Sequence, residues 1–275
     1  MKKSKFIQFA TEVVLILIAL IFVTPLLMVL LNSFKTLSEI YASPFAFPAY
    51  FSIDNYIFVW NDMNYMLRLF NSSLVTFVPI PFVLFFSSLA AYKLCRTKTK
   101  LSAIIFSLII VTMLIPFHVF IVPFFVMVSF VNMMDSLWAL VIIYIGFFTP
   151  FTTFLFHGFI KAIHQDIEDS ARIDGCGNFG VYFHIILPNV KPIAATATVL
   201  IALALWNDFF LPLILISSDE NLTLPLMAAR YNAQFSRDWH RILPAMILLS
   251  VPIFVAFGFL QKYILDGIAQ GAVKG

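Results

Sequence analysis

The sequence predicts an all-α integral membrane protein of six transmembrane helices, with one helix-turn-helix island on the cytoplasmic side. Three observations predict it. First, 61% of the 275 residues are hydrophobic and only 11% are charged, against about a quarter charged in soluble domains. Second, the apolar residues gather into runs of about 20, the length at which a helix crosses a bilayer core. Third, lysine and arginine divide unequally between the segments that join those runs. Length alone allows one or two soluble domains, but little chain remains outside the runs to bury a separate core. Residues 1–275 are therefore read as one transmembrane domain.

Spans are expected at 11–33, 70–92, 102–130, 136–159, 193–216 and 243–263. The first follows MKKSK and invites comparison with a secretion signal. Val13–Leu31 is longer than a signal core of about 7–15 residues, and Asn32-Ser33-Phe34-Lys35 offers no small-x-small cleavage site. It is read as an uncleaved span. The third run has no Asp, Glu, Lys or Arg from Leu101 to Met134 and would make a helix of about 50 Å. It must tilt, break or continue outside the core, and Pro116 and Pro123 are the places for a break.

Prolines fall in other spans as well, at Pro25, Pro79, Pro81, Pro150, Pro212 and Pro252. Such breaks are tolerated where neighbouring helices or a water-filled cavity satisfy the freed backbone groups, which favours a transport path over a plain anchor. On the fifth span Ala194, Thr198 and Ala202 share one side and suit close helix packing.

With the amino terminus inside, the inner segments hold Lys2, Lys3, Lys5, Lys93, Arg96, Lys98, Lys100, Lys161, Arg172, Lys191, Lys262 and Lys274. The outer segments hold Lys35, Arg68, Arg230, Arg237 and Arg241. Twelve against five is a positive-inside bias. Both termini and the island at 161–192 then face the cytoplasm. The outer segments are 34–69, whose aromatics and prolines suit the membrane interface, and 217–242. Cys95 and Cys176 both fall on the cytoplasmic side, so no disulfide framework is expected.

The island concentrates four of the fourteen acids, Asp166, Glu168, Asp169 and Asp174. A helix over 163–174 would set Ile163, Ile167 and Ala171 on one face, with Glu168, Asp169 and Arg172 elsewhere. Gly175 then ends the helix in a left-handed residue. A second pattern, Phe179, Phe183, Ile186 and Val190, follows, and Pro188 bends or ends it. Gly175-Cys-Gly177-Asn-Phe-Gly180 spells G-x-G-x-x-G, but a dinucleotide site needs a preceding strand and an acid about 20 residues on. Here a helix precedes and position 195 is alanine. No G-x-x-x-x-G-K-S/T is present, so any ATP would be hydrolysed by a partner.

Asp169-Ser170-Ala171, Gly175 and Ile185-Ile186-Leu187-Pro188 resemble the cytoplasmic EAA loop of permease subunits in ATP-binding cassette importers. The extension Ala171-Arg172-Ile173-Asp174-Gly175 resembles the branch that handles carbohydrates. Further matches are MLIPFHVFIVP (Met113–Pro123), Trp206-Asn207-Asp208 with Pro212, and Gly271-Ala272-Val273-Lys274-Gly275. Asp169 stands for the usual Glu, Ser170 for Ala and Cys176 for a common Ala.

The resemblance implies a loop that docks into a groove on an ATPase subunit and carries its closure into the membrane. Asp169 would be the charged contact, Ala171 the close-packing position, Gly175 the turn, and Phe179 and Leu187 the anchors. Ser170, Asp174 and Pro188 complete the loop. It also implies a multi-pass bacterial-type cell-membrane subunit working by alternating access, without a catalytic site or cofactor of its own. Its partners would be a second homologous permease, two ATPase subunits holding ATP and Mg, and an extracytoplasmic sugar-binding protein.

Asp208 is the one acid inside an expected span other than Glu12 at the edge of the first, and ionisable groups there default to functional hypotheses. With Trp206 and Asn207 it either lines a translocation path and meets sugar hydroxyls, or makes a structural polar contact. His118, between two prolines, either lines the path or is satisfied within the bundle. No histidine spacing suits a metal, and no Ser-His-Asp, Cys-His or paired-carboxylate arrangement stands out. The competing class is an ion-coupled secondary transporter, which needs mid-membrane ionisable groups and usually two related halves. One intramembrane acid and the absence of a repeat count against it.

Overall fold

Proline chemistry decides where the apolar runs become continuous helices and where they break. The computed structural model describes residues 2–235 and 237–272, with side chains described for 8–235, 237–256 and 258. Among the described residues the secondary structure is entirely helical. The helices are α1 (Lys2–Asn32), α2 (Leu37–Ala42), α3 (Asp54–Asp62), α4 (Tyr65–Phe77), α5 (Pro79–Arg96), α6 (Lys100–Leu114), α7 (Ile121–Phe130) and α8 (Leu137–Lys161). There follow α9 (Gln165–Ile173), α10 (Asn178–Val181), a π-helical turn (Tyr182–Ile186), α11 (Leu187–Asn189), α12 (Lys191–Asn207), α13 (Phe210–Leu215), α14 (Leu224–Gln234) and α15 (Trp239–Ala272). The side chains of Lys2, Lys3, Lys5 and Lys262, and all of Val273-Lys274-Gly275, lie outside the described residues.

Among the described residues, four helical stretches are long and apolar enough to cross a membrane: Gln8–Asn32, Tyr65–Arg96, Leu137–Lys161 and Trp239–Ala256. Asn178–Asn189 and Lys191–Asn207 qualify together as a fifth, across a 68° bend. The expected span 102–130 is two shorter helices, α6 and α7, separated by a 3-10 turn at Phe117–Val119. Its break has a local cause. Pro116 has no N–H for the preceding turn, and its ring forces Ile115 into an extended conformation, φ −86° and ψ 113°. Pro123 sits in the first turn of α7, where a missing N–H costs no helical bond. The expected span 193–216 is likewise divided, because Asp208 ends α12 in an extended conformation and α13 starts two residues later. Pro25 and Pro150 lie inside continuous helices.

Two compact units divide the chain. One takes Met1–Met66 with Met227–Pro252, the other Leu67–Leu226 with Ile253–Gly275. The first unit has a small core of Val59, Met63, Tyr231 and Ala245. There the Tyr65 hydroxyl donates to the Leu248 carbonyl at 2.9 Å, and the Arg241 guanidinium lies 4.3 Å from the Phe58 ring. Its α2 starts with a capping box between Thr36 and Glu39. Lys35, buried just past α1, donates to Asn32 Oδ1 at 2.9 Å and to the Ser43 carbonyl at 3.0 Å.

The second unit is built on α5 against α8. Small residues let them approach: Ser87, Ser88 and Ala91 are buried on α5. Ser87 donates to the Thr149 carbonyl at 3.1 Å. Below this pair Ala91, Phe156, Ile160, Tyr182, Ile186 and Val190 form one cluster, so the island packs directly on the helices. At the opposite end, Asp135 closes the α7–α8 turn in a left-handed conformation, φ 57°. Its carboxylate accepts from Ser217 and Ser218 N–H at 3.1 and 3.0 Å. Arg68 is buried and paired with Asp219, and Asn71 donates to the Glu220 and Leu222 carbonyls at 2.7 and 2.9 Å. These bonds tie 215–224 to its own unit.

Candidate functional site

The helix-turn-helix at 165–189 forms because each local choice agrees with it. α9 ends in a Schellman pair of bonds: Gly175 N–H donates to the Arg172 carbonyl at 3.0 Å, and Cys176 N–H to the Ala171 carbonyl at 2.9 Å. The pair needs a left-handed residue, and Gly175 has φ +91°, open to glycine at no steric cost. The second arm starts at Asn178. Pro188 brings no N–H to the His184 carbonyl, and Leu187 N–H instead reaches back five residues to the Tyr182 carbonyl, the π-helical pattern.

Glu168 has 0% of its surface exposed. Its carboxylate lies 2.6 Å from the Arg96 guanidinium and 3.5 Å from that of Arg172, and accepts from the Tyr92 hydroxyl at 3.1 Å. Arg96 also donates to the Ile160 and Ile163 carbonyls at 3.2 and 3.0 Å. A buried carboxylate must be paired to stay charged, and here two cations and a phenol supply the pairing. α9 is thereby fastened to the C-terminal ends of α5 and α8.

That arrangement turns α9 the other way from the expected one. The sequence sets Ile163, Ile167 and Ala171 on one face and Glu168 elsewhere. Instead Glu168 faces inward and Ile167 is half-exposed. Ile173 is 86% and Phe179 76% exposed, and Asp169 and Asp174 are exposed as well. Asp169 is 2.7 Å from Arg172, which holds the Arg172 guanidinium above its usual pKa against the opposing effect of burial. Ser170 donates to the Asp166 carbonyl at 2.8 Å, and Ala171 is half-buried. Leu187 faces the internal cluster, and Pro188 is exposed. The two expected anchors thus point apart, Phe179 outward and Leu187 inward.

At the other end of the second unit a cavity of about 320 Å³ is lined by Asp208, Tyr144, Thr112 and a set of aromatic and aliphatic side chains. The Asp208 carboxylate accepts from Tyr144 Oη at 2.8 Å and from Phe210 N–H at 2.9 Å, so it both caps α13 and faces the cavity. His118 lies with its ring centroid 4.7 Å from that of Phe210, a cavity wall. Trp206, expected to stack beside Asp208, is buried and does not line the cavity. Asn207 is exposed and donates to the Leu203 carbonyl at 2.8 Å. The aromatic surface near Asp208 comes instead from Phe117, Phe120, Tyr144, Phe147, Phe148 and Phe210.

Glu168, Arg96 and Tyr144 escaped the sequence reading. Tyr144 had no signal beyond being a lone polar aromatic in an apolar helix. Glu168 and Arg172 carried an i,i+4 charge spacing, but Arg96 lies 72 residues away.

Residues 83–270 match the family described as binding-protein-dependent transport system inner membrane component. The chain belongs to that family. The match contains the helix-turn-helix, Arg96 and Asp208. The chain is 33% identical over its whole length to the multiple sugar-binding transport system permease protein MsmG of Streptococcus mutans, itself covered in full. It is 32% identical over 94% of both chains to the probable starch degradation products transport system permease protein AmyC of Thermoanaerobacterium thermosulfurigenes. Among solved structures, a bacterial ABC transporter involved in import of the acidic polysaccharide alginate contains a chain with a TM-score of 0.83. That chain is 19% identical, with 96% of this chain and 98% of that one covered, which shows a shared fold.

Proposed function

We propose that this family member is the permease subunit of an ATP-driven importer for a mono- or oligosaccharide, working by alternating access. The relatives' names support the sugar class: one is named for multiple sugars and one for starch degradation products, and a third for melibiose, raffinose and stachyose. An ion-coupled mechanism finds no support among them. The partners are a second homologous permease, two ATPase subunits that carry ATP and Mg, and an extracytoplasmic sugar-binding protein. The chain is a multi-pass subunit of the cell membrane, with both termini and the helix-turn-helix in the cytoplasm.

The observation that carries the coupling role is the anchored knob. A segment that transmits another subunit's motion must move as one body with the helices it drives. Glu168 and Arg96 join α9 to α5 and α8, and Tyr182 Oη lies 2.7 Å from Ser88 Oγ. The exposed residues of the helix-turn-helix include large apolar side chains, Phe179 and Ile173, and the acids Asp169 and Asp174. That is the mixture of a central apolar anchor and polar rim that a protein groove takes. Asp169, Ser170, Ala171, Asp174, Gly175 and Phe179 would then be contact or shape residues. Leu187 holds the second arm onto the helices, and Pro188, exposed, shapes the π turn before it.

In the membrane, Asp208 with its aromatic surroundings supports a sugar-facing position: carboxylates accept from hydroxyls, and ring faces cover the apolar face of a pyranose. His118 closes one side through Phe210. Trp206 and Asn207 would then position Asp208 from the end of α12 rather than touch sugar.

The deciding experiment measures saccharide uptake and ATPase stimulation in the assembled transporter carrying Phe179→Asp. Uptake and stimulation should both fall by at least tenfold while the chain remains membrane-inserted. Normal uptake with Phe179→Asp would overturn the docking role.

A further inference from the structure

A second cavity, of about 540 Å³, opens where α5 and α8 end and α9 begins, lined by Cys95, Arg96, Lys98, His157, Lys161 and the 162–165 connection. Its lining contains five basic side chains, the three cations with His157 and His164, and no acid. Arg96 is committed to Glu168. Lys98 and Lys161 are not: among the described residues neither ammonium has an ion-pair or hydrogen-bond partner. α9 starts in the same wall at His164 and Gln165 without a side-chain cap on its first N–H groups, and an uncapped helix N-terminus favours an anion. Glu168 points away to Arg96 and Tyr92, and Asp166 is exposed and outside the lining.

We propose that this cavity binds the phosphate of an anionic membrane lipid. Lys161 is the last residue of α8 and Lys98 lies two residues past the end of α5, the depth at which a membrane presents headgroups. Basic pockets between membrane helices take such headgroups. One turn deeper, His157 stacks on Phe106 of α6 with ring centroids 3.8 Å apart. From there α6 exposes Leu101, Ile104, Ile105 and Leu108, the apolar surface that acyl chains require. The phosphate would lie between the two ammonium groups and the start of α9, so the lipid would brace the joint between the helix bundle and the knob. This rests on the chain crossing a membrane, not on the sugar class or on ATPase docking.

The test titrates the full-length chain in detergent with phosphatidylglycerol, phosphatidylcholine and inorganic phosphate, counting bound adducts by native mass spectrometry. Phosphatidylglycerol should be retained over phosphatidylcholine. K98Q/K161Q should weaken it about thirtyfold, whereas K93Q/K191Q, which removes the same charge outside the lining, should leave it within about twofold. Equal loss in both double variants would reduce the effect to surface charge and overturn the site. Displacement of phosphatidylglycerol by inorganic phosphate at equal concentration would assign the cavity to free phosphate and overturn the lipid. If K98Q/K161Q fails to fold, amine acetylation of the unaltered chain in vesicles decides. Protection of Lys98 and Lys161 relative to Lys93 and Lys191 by phosphatidylglycerol supports the site, and uniform labelling overturns it.

Discussion

Glu168 and Arg96 meet at 2.6 Å across 72 residues of chain, the carboxylate fully buried and the arginine side chain 16% exposed. Each is positioned by a different element, Arg96 by the last turn of α5 and Glu168 by the first turns of α9. The pair is where the long apolar helices take hold of the helix-turn-helix.

Removing one partner should be far worse than removing both. Glu168→Ala leaves Arg96 buried without its counter-charge and should cost about 3–5 kcal/mol, whereas Arg96→Met with Glu168→Met should recover most of that loss. Thermal unfolding of the detergent-purified chain measures both. Equal destabilisation by the single and double changes would show that the charges matter little.

Gly175→Ala tests the turn. A Cβ at this glycine meets nothing within 4 Å, so the cost is backbone strain alone, about 1–2 kcal/mol for a left-handed non-glycine residue. Gly177→Ala, without a positive φ or a crowding neighbour, should be nearly neutral in the same melt. A matching loss at Gly177 would remove the left-handed turn as the explanation.

Asp208 has two duties that different substitutions separate. Asp208→Asn keeps an oxygen for the Phe210 N–H and should preserve stability while lowering uptake. Asp208→Ala also removes the cap of α13 and should cost about 0.5–2 kcal/mol. Uptake unchanged in Asp208→Asn would confine this carboxylate to capping.

The Asp135 carboxyl lies below its ordinary value of 3.8: burial raises it, but the hydrogen bonds from Ser218, Ser217 and Asn221 outweigh that effect. A folded pKa depressed below the unfolded one stabilises at pH above the unfolded value, and the gain is lost as pH falls through the folded value. The melting temperature should therefore lose the Asp135 contribution only below about pH 3.8. Asp135→Asn should flatten that part of the profile; an unchanged acid limb would assign it to other groups.

The fold class was legible because hydrophobic runs and proline positions are local signals. The break at Pro116 follows from one residue's covalent structure, and the turn at Gly175 from another's. What escaped was set by distant partners. Helical periodicity weighs Ile167 against Glu168 by polarity alone and turns the charge outward. The opposite outcome depends on Arg96 and Tyr92 arriving from α5, which no window around position 168 contains. Asp208 was drawn inside a continuous span for a similar reason: its capping of Phe210 and its bond from Tyr144 appear only once α8 lies alongside.

The π-helical turn at Tyr182–Ile186 makes the direction of Phe179 a matter of residue count. Each residue of an α-helix turns the chain by roughly 100°, and a π turn accommodates one residue more than the α-helix it interrupts. With Ile186 and Val190 fixed in the internal cluster, the widened turn takes up its extra residue without turning what precedes it, so losing one residue from 182–186 would restore an α turn and leave Phe179 facing outward. A residue gained between Phe179 and Tyr182 has no such outlet and would swing Phe179 about a quarter of the way round the axis. The arm thus tolerates a change of length at one place and not at the next, and a lineage that lengthened it outside the π turn would have to rebuild the surface it presents.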